Sequence, residues 1–323
     1  MTDPLNRRTV LAWITCATMS ATAFAESAPM RVILPLGAGS GVDVIVRSAQ
    51  TALSKALDDQ PVVIENLPGA GGITGTAALV KAAPDGNTIA FISNNHAVNP
   101  SVFKKMPYDS LNDITPISVV GSSPFVLVVN PNKVPARNAK ELQALIKSRP
   151  GEFNYASSGN GTIIHLAGEM FVDAMGVEVR HIPYKSMGPM ITDIIGGQVE
   201  MGVSAVAAVQ SHLKSGALRA IGVMHKTRVA SLPDLPTLAE QGFPEVDVAG
   251  WFAVVGPAKM PAAQVKRIHD AVTVAFNDPA VKAAMAKQDN LINPTTPQAS
   301  AQYLKSEQER YAKLVAKANV QLD

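Results

Sequence analysis

Short apolar runs and segments with helical spacing follow one another along the chain. The run MRVILPL at 30–36 is typical of a buried strand, and from Val42 onward apolar residues recur every three or four positions, as in a helix. The succession continues with a strand at 61–67, a helix at 72–83 and a strand at 87–93. Strands that alternate with helices in this way predict an α/β fold with mainly parallel sheets.

The alternation of strands and helices is interrupted between residues 94 and 130 and then resumes. The polar stretch NNHAVNP at 94–100 is expected to be a loop. Gly121 and Pro124 break the apolar stretch 114–130, which is therefore expected to be more than one strand and to carry the chain between two lobes. Further elements are predicted at helix 138–149, strand 153–157, helix 162–175, strand 178–184, helix 187–197, strand 199–206, segment 218–224, strand 249–257, a helix through 265–276 and a last helix from Thr296-Pro297.

The length of the chain predicts two lobes, because the roughly 300 residues that follow residue 25 exceed what one hydrophobic core usually serves. The positions of the two expected crossings, near 114–130 and 218–224, make the first lobe discontinuous. It would comprise 26–122 together with 224–323, and the second lobe 123–223. Two crossings of this kind act as a hinge in proteins that close around a ligand.

The first twenty-five residues predict export. Arg7 and Arg8 precede an apolar core that ends in AFA at 23–25, so a signal peptide of residues 1–25 is expected to be cleaved near Glu26. The arginine pair also resembles a twin-arginine signal. Cys16, the only cysteine, lies in this segment, so the exported chain would have neither a disulfide nor a thiol nucleophile. The expected location is the periplasm.

Composition narrows the function classes. With 28 basic and 26 acidic residues the chain has no basic excess of the kind that binds nucleic acid. Two tryptophans and 5% aromatic residues are few for a sugar lectin. No later apolar run has the length of a membrane span. No grouping of His, Cys, Asp and Glu has the spacing of a metal site, so neither a metal nor another cofactor is predicted.

Two glycine-rich corners are the main candidates for chemistry. LPLGAGSGVD and YASSGNGTIIH each read as strand, glycine corner and helix start, where unpaired backbone N–H groups attract anions. The amides of 38–41 and 159–162, with the hydroxyls of Ser158 and Thr162, would converge on a carboxylate. Either corner alone is more simply a turn. One in each lobe of an exported chain favours a receptor for a small anion.

A dinucleotide site is an alternative interpretation of the first corner. Gly37 and Gly39 begin a G-x-G-x-x-G motif, and Glu65 follows where a ribose-binding acid would lie. Val42 occupies the third glycine position, however, and would block close packing of helix on strand.

A hydrolase is the alternative interpretation of the second corner. Ser157 or Ser158 would be the nucleophile, and His165 or His181 the base. The stretch ASSGNG departs from the G-x-S-x-G elbow, since Ala156 occupies its first glycine position, and no third partner is apparent.

Other polar residues have two possible roles. Asp43 either stabilises the dipole of the first helix or faces the ligand, where it would repel a second carboxylate. Asp193 presents the same choice. Asn94 and His96 are polar candidates in the predicted loop, and Tyr184 is a candidate for the rim of the cleft.

Five blocks in fixed order resemble the tripartite tricarboxylate transporter substrate-binding family, the Bug-type receptors. They are LPLGAGSGVDVIVR, VIENLPGAGGITGTAALVKAAPDGNTIAF, YASSGNGTIIHLAGEMF, HIPYKSMGPMITDIIGGQVE and LPDLPTLAEQGFPEV. The resemblance implies a two-lobe Venus-flytrap fold of the type II periplasmic binding proteins and no catalysis. It implies that a small carboxylate is captured and delivered to a two-component membrane permease. Such receptors are expected to be monomers.

The resemblance also implies which residues hold the ligand carboxylate. Two positions depart from the family pattern, since Leu36 replaces an aromatic residue and Ser186 a glycine. A ligand sensor for a membrane kinase, with the same fold and pocket, remains an alternative to transport. The implied contacts are Leu36, Gly37, Ala38, Gly41 and Asp43 on one side, and Ser158, Gly159, Asn160, Thr162, Tyr184 and Asp193 on the other.

Overall fold

The computed structural model describes residues 28–318; the predicted signal peptide lies outside this range. Its strands are β1 (Met30–Leu34), β2 (Val62–Asn66), β3 (Thr88–Ser93), β4 (Ile114–Val129), β5 (Asn154–Ser157), β6 (Arg180–Pro183), β7 (Met201–Ala205), β8 (Arg219–Val223), β9 (Ala249–Pro257) and β10 (Leu291–Ile292). Its helices are α1 (Gly41–Ala56), α2 (Ile73–Val80), α3 (Asn94–Val102), α4 (Ala139–Ser148), α5 (Ile163–Met175), α6 (Met187–Ile195), α7 (Val206–Lys214), α8 (Ala262–Asn277), α9 (Pro279–Ala286) and α10 (Pro297–Ala318).

The periodicity of the sequence located most of these elements, and the alternating α/β pattern is confirmed. Local signals fix their ends. The hydroxyl of Ser40 caps α1 by accepting a hydrogen bond from the Asp43 N–H, and Thr162 caps α5 in the same way through the His165 N–H. The last helix begins at Pro297, directly after Thr296, as predicted.

The prediction of a loop at 94–100 is wrong, because these residues begin helix α3. Most residues of this helix are buried, polar ones included, so it has no alternation of an apolar and a polar face to recognise. Its asparagine side chains form hydrogen bonds with backbone groups of other segments. Asn94 Nδ2 donates to the Ala249 carbonyl, and Asn99 Nδ2 to that of Gly71.

The prediction that 114–130 is too broken for one strand is also wrong, since β4 runs without interruption from Ile114 to Val129. Gly121 permits a close approach rather than a break, because a Cβ there would overlap the Leu291 carbonyl of β10. Pro124 stands where pairing with β9 ends and pairing with β7 begins, so its missing N–H falls at a change of partner.

The strands form one mixed sheet with the order β2-β1-β3-β9-β4-β7-β5-β6, and β8 and β10 pair with β4. At one end β1 lies parallel to both β2 and β3. At the other end β5 lies parallel to both β6 and β7. The long antiparallel pair of β4 and β9 joins the two parallel groups. The structure thus has two α/β units connected by two extended strands.

Two hydrophobic clusters support these units. The smaller lies where β1 and α1 pack against α8, around residues such as Leu34, Ile45 and Phe276. The larger surrounds the second parallel group and extends to α10, with Tyr155 and Phe171 among its buried side chains. Among residues 28–318 no helix combines the length and apolarity needed to cross a membrane.

The segment that follows β8 lies beside the second parallel group. The N–H of Leu238 donates to the carbonyl of Val223, and the amide oxygen of Gln241 accepts from the N–H of Ala139 at the start of α4. Residues 224–248 therefore contact the second unit before β9 begins. The lobe boundaries derived from the sequence, 122/123 and 223/224, stay predictions.

Candidate functional site

Each parallel group of strands has a point at which the chain changes direction across the sheet. From β1 the chain continues to β2 on one side and then to β3 on the other, and from β5 it continues to β6 and then to β7. In open α/β sheets ligands bind in the crevice at the carboxyl ends of the strands where this reversal occurs. One crevice therefore opens after β1 and β3, and the other after β5 and β7.

The two crevices face each other. A methyl group placed on Gly37, after β1, would lie 3.9 Å from Cβ of Ser186, and one on Gly41 would lie 3.9 Å from Cβ of Ala205 at the end of β7. The amide oxygen of Asn95, after β3, accepts a hydrogen bond of 2.9 Å from the Ile163 N–H at the start of α5. The predicted first and second sides are thus brought together.

The first corner, residues 35–41, keeps several backbone donors unused. The Ser40 N–H donates to the Gly37 carbonyl, and that of Gly39, which has a φ of 77° suited to glycine, donates to the Asp43 carboxylate. Among the described residues no acceptor is bonded to the N–H groups of Gly37, Ala38 or Gly41. These three amides are the donors that this corner can offer to an anion.

Asp43 anchors the first corner from within. Its carboxylate accepts hydrogen bonds of 2.9 Å from Gly39 N, Arg47 Nε and Asn66 Nδ2, and the residue is 4% exposed. Burial raises the pKa of Asp43, but the hydrogen bonds from Gly39 and Asn66 and the charge of Arg47 outweigh it and hold the pKa below its usual value. Of the two roles considered for Asp43, the structure displays the internal one.

Asn66 is a functional candidate that sequence reasoning missed. Besides binding Asp43, its Nδ2 donates to the Leu36 carbonyl at 3.2 Å, and its Oδ1 accepts from Arg47 Nη2 at 2.7 Å. It holds the backbone of the first corner against α1. Its position at the carboxyl end of β2, beside β1, is the signal that could have identified it.

The second corner, residues 157–162, uses most of its donors internally. The Gly159 N–H donates to Ser157 Oγ, that of Gly161 to Nδ1 of His165 and that of Thr162 to the Gly159 carbonyl. The Thr162 hydroxyl also donates to the Gly159 carbonyl, at 2.8 Å. Ser158 and Asn160 retain N–H groups without an acceptor among the described residues.

A cluster of titratable side chains lies beneath the second corner. The rings of His165 and His181 are stacked, with His181 Nε2 2.6 Å from Ser157 Oγ and His165 Nε2 3.5 Å from Glu169 Oε1. The Tyr155 hydroxyl donates to the same Glu169 oxygen. Burial, and then the neighbouring His165, lower the pKa of His181 to about 4. The hydrogen bond from His165 keeps the pKa of Glu169 below its usual value.

The surroundings of Ser157 and Ser158 bear on the hydrolase alternative. Ser157 contacts a histidine nitrogen, but it is fully buried and so has no access to a substrate. Ser158 is more exposed, but its hydroxyl is paired with Thr162 Oγ1 at 3.4 Å and with neither histidine. The cluster has the residues of a nucleophilic site without the accessibility that nucleophilic attack requires.

The remaining candidates have internal partners. The Tyr184 hydroxyl donates to Asp193 Oδ2 at 2.8 Å, and burial, together with this hydrogen bond, raises the pKa of Tyr184 to about 12. Asn94 is 1% exposed and joins three segments, because its amide group donates to the Ala249 carbonyl and to Tyr311 Oη and accepts from the Trp251 N–H. Ligand contact by these residues stays a prediction.

One small cavity lies close to the two corners, and a larger groove lies away from them. A cavity of about 10 Å³ lies behind the first corner and includes Leu36 in its wall. A groove of about 800 Å³ between α4, the end of α5 and β6 contains none of the predicted ligand residues. Within residues 28–318 no three side chains of the His, Cys, Asp and Glu types are grouped as metal ligands.

Comparison with known proteins identifies the family. The sequence model described as the tripartite tricarboxylate transporter family receptor matches residues 45–320. Protein BugT of Bordetella pertussis is 35% identical to this chain over 296 residues, which are 91% of this chain and 90% of BugT.

Solved structures confirm the fold. The periplasmic binding protein BugD is 30% identical, with a TM-score of 0.85 over 91% of this chain and 99% of that one. Rpa4515 of R. palustris, solved with adipate, is 28% identical with a TM-score of 0.86, covering 91% and 98% of the two chains. MatC (Rpa3494) of Rhodopseudomonas palustris, with bound malate, is 25% identical with a TM-score of 0.82, covering 89% and 98%.

The two-unit α/β architecture and these matches confirm the predicted periplasmic-binding-protein fold. The chain therefore belongs to the tripartite tricarboxylate transporter receptor family, the Bug-type periplasmic solute-binding receptors.

Proposed function

We propose that this protein captures a small carboxylate-bearing metabolite between its two lobes and delivers it to a two-component membrane permease. One observation carries the proposal: the two crevices at the strand reversals face each other, and the first corner leaves three amides without an acceptor among the described residues. Binding of adipate and malate by Rpa4515 and MatC supports a carboxylate as the ligand class.

The available donors match the needs of a reversible carboxylate site. The N–H groups of Gly37, Ala38 and Gly41 would bind from one side, and those of Ser158 and Asn160 from the other. Each hydrogen bond to a charged group contributes about 1.5–3 kcal/mol. Three or four of them offset the cost of immobilising a small ligand and leave an affinity on the order of micromolar. Neither corner contains a Lys or Arg, so no full positive charge would slow release.

The lobes would close about β4 and β9. The lobes are those derived from the sequence, 26–122 with 224–323 and 123–223, except that the hydrogen bonds of Leu238 and Gln241 to the second unit favour assigning 224–248 to the second lobe. Closure of two lobes about a pair of connecting strands is a known hinge motion. Capture would then bring the two corners onto the same carboxylate.

A receptor accounts for the second corner better than a hydrolase does. Burial of Ser157 and the absence of a histidine at the Ser158 hydroxyl leave no accessible nucleophile with a base in that corner. The His165–His181 stack instead supports the corner from beneath. We propose that the protein has no catalytic activity.

A binding screen tests the proposal. The purified protein is titrated by calorimetry with mono-, di- and tricarboxylates, amino acids and aromatic acids, after a thermal-shift survey of the same compounds. A ligand present at 100 times its Kd stabilises the folded state by about 2.7 kcal/mol, which is readily detected. If none of the carboxylates binds, or if a bound carboxylate lies outside the two corners in a crystal structure, the proposal is wrong.

Delivery to a permease needs its own test. The protein is reconstituted with the two-component permease of its own organism in proteoliposomes, and uptake of the labelled carboxylate is measured with and without it. Receptor-dependent uptake supports transport. Binding without uptake, together with capture of a membrane kinase, would favour the sensor alternative.

A further inference from the structure

A small chamber adjoins the proposed carboxylate site. It is the cavity of about 10 Å³ behind the first corner, at the carboxyl ends of β1 and β3, and its walls include Leu36, Asn95 and His96. Asn95 is the residue that bonds the start of α5 across the cleft. The chamber thus lies at the strand reversal of the first unit, where ligands bind in open α/β sheets.

His96, one of the wall residues of this chamber, carries an unused acceptor. Its Nε2 lies 2.7 Å from the Ser110 carbonyl oxygen, and because a carbonyl only accepts, Nε2 carries the hydrogen. The residue is 4% exposed, and burial lowers its pKa to about 4, so the ring is neutral at pH 7. Nδ1 therefore has a free lone pair. It is buried and has no hydrogen-bond partner among the described residues.

A buried acceptor without a donor is costly, so a donor is expected to complete His96. The missing group must donate a hydrogen bond, which a carboxylate cannot do. It must also be small, because a cavity of about 10 Å³ has room for roughly one water-sized group. A hydroxyl or an amino group meets both conditions, and a second carboxylate meets neither.

From this geometry we infer that the ligand is a carboxylate with a hydroxyl or amino substituent, whose hydrogen is donated to Nδ1 of His96. The inference rests on the proposed function and specifies its substrate class. His96 is then a specificity-determining residue: the two corners bind the carboxylate, and His96 distinguishes substituted from unsubstituted acids.

Matched pairs of acids test this directly. The wild-type protein is titrated with succinate and malate, succinate and aspartate, propanoate and lactate, and butanoate and 3-hydroxybutanoate. At least one substituted acid is expected to bind about tenfold more tightly than its parent, the effect of one buried hydrogen bond. Equal affinities within every pair that binds would overturn this inference alone. If none of these acids binds but another unsubstituted carboxylate of the wider screen does, this inference alone is overturned. If no carboxylate of that screen binds, the proposed function is overturned as well.

Two substitutions distinguish the roles of the two ring nitrogens of His96. The amide nitrogen of a glutamine can occupy the place of Nε2, so His96→Gln can keep the bond to Ser110 and remove the acceptor. The amide oxygen of an asparagine can occupy the place of Nδ1, so His96→Asn keeps the acceptor and loses that bond. His96→Gln should abolish the tenfold preference and change the affinity for the parent acid less than about twofold, whereas His96→Asn should retain the preference. The opposite ranking would contradict the assignment.

A measurement on the wild-type protein covers the case in which a variant does not fold. Histidine labelled with ¹⁵N is incorporated, and the Nδ1 resonance of His96 is followed by NMR as the substituted acid is added. A new hydrogen bond to this nitrogen shifts its resonance, and the parent acid should leave it in place. A resonance that does not move at saturation would show that trapped water alone satisfies the ring and would overturn the proposal.

Discussion

The imidazole rings of His165 and His181 are stacked beneath the second corner, with centroids 3.8 Å apart and planes 10° from parallel. Nδ1 of His165 accepts the Gly161 N–H, and Nε2 of His181 lies against Ser157 Oγ. The stack thus links α5 and β6 to both ends of the corner. The geometry of the corner therefore depends on both rings.

Acid should destabilise the protein through this stack. The pKa of His181 is lowered to about 4 in the folded state from its usual 6.5. Between pH 6.5 and 4 the unfolded chain therefore binds more protons than the folded one, and the free energy of unfolding falls as the pH falls. Urea unfolding at a series of pH values should show this loss. His96, whose burial lowers its pKa to about 4, should contribute a loss of the same sign.

Replacing one ring isolates the contribution of the stack. His181→Gln has no titrating group, so the dependence of stability on pH between 6.5 and 4 should become shallower, with the part due to His96 remaining. His212→Gln, at the half-exposed histidine of α7, is the matched control. If both variants keep the wild-type slope, the stack is not what couples stability to pH.

The N–H of Gly41 can be removed without breaking α1. Gly41 is the first residue of the helix, where proline is favoured, and Ser40 before it has φ −66° and ψ 158°, a conformation that proline tolerates in its predecessor. Gly41→Pro should weaken carboxylate binding by at least about tenfold, the effect of one hydrogen bond to a charged group. The free energy of unfolding without ligand should change by less than about 1 kcal/mol.

Gly41→Ala is the control for this substitution. It keeps the N–H and adds a methyl group that would lie at an ordinary contact distance of 3.9 Å from Cβ of Ala205. Its affinity, measured by the same calorimetry, should stay within about threefold of the wild type. Equal losses in the two variants would mean that bulk at the cleft, and not the amide, controls binding.

How far the sequence predicted the fold depended on periodicity. Helix α1 and strand β1 have clear apolar patterns and were located within one or two residues. Helix α3 has none, because neighbouring segments surround it, and its buried asparagines bind backbone groups that are distant in sequence. Strand β4 was divided because Gly121 and Pro124 ordinarily mark turns, whereas here they serve a close contact and a change of strand partner.

The sequence predicted those parts of the candidate site that depend on neighbouring residues in the chain, and not those that depend on distant contacts. The two corners could be found because strand, glycine and helix start are adjacent in the chain. That they face each other depends on contacts such as Asn95 with Ile163, 68 positions apart, which no local pattern encodes. Which amides remain free also depends on the fold, since Ser157 and His165 accept hydrogen bonds from Gly159 and Gly161, two amides that the sequence assigned to the ligand.

Asp43→Asn should damage the first corner more than Asp193→Asn damages the second. Three donors point at the Asp43 carboxylate, and an amide in its place turns an NH₂ group toward at least one of them. We expect a loss of about 1–3 kcal/mol in the free energy of unfolding at pH 7, and weaker ligand binding because the backbone at Gly39 is released. Asp193 accepts from Tyr184, a bond that an asparagine oxygen can still accept, so its variant should lose less than about 1 kcal/mol. Comparable losses would contradict an anchoring role for Asp43.

Alanine substitutions of the neighbours Asn94 and Asn95 should have different effects, the first on the free energy of unfolding and the second on carboxylate affinity. The Asn94 amide binds Ala249, Trp251 and Tyr311 inside the fold, so Asn94→Ala leaves buried groups unpaired and should cost about 1–3 kcal/mol in urea unfolding. Asn95 joins the first unit to the start of α5, a contact that exists only when the crevices are close. Asn95→Ala should therefore leave unfolding nearly unchanged and lower carboxylate affinity, because the closed arrangement loses a bond that the open one lacks. If Asn94→Ala instead weakens binding with no loss of stability, the asparagine is a ligand contact, as the sequence first indicated.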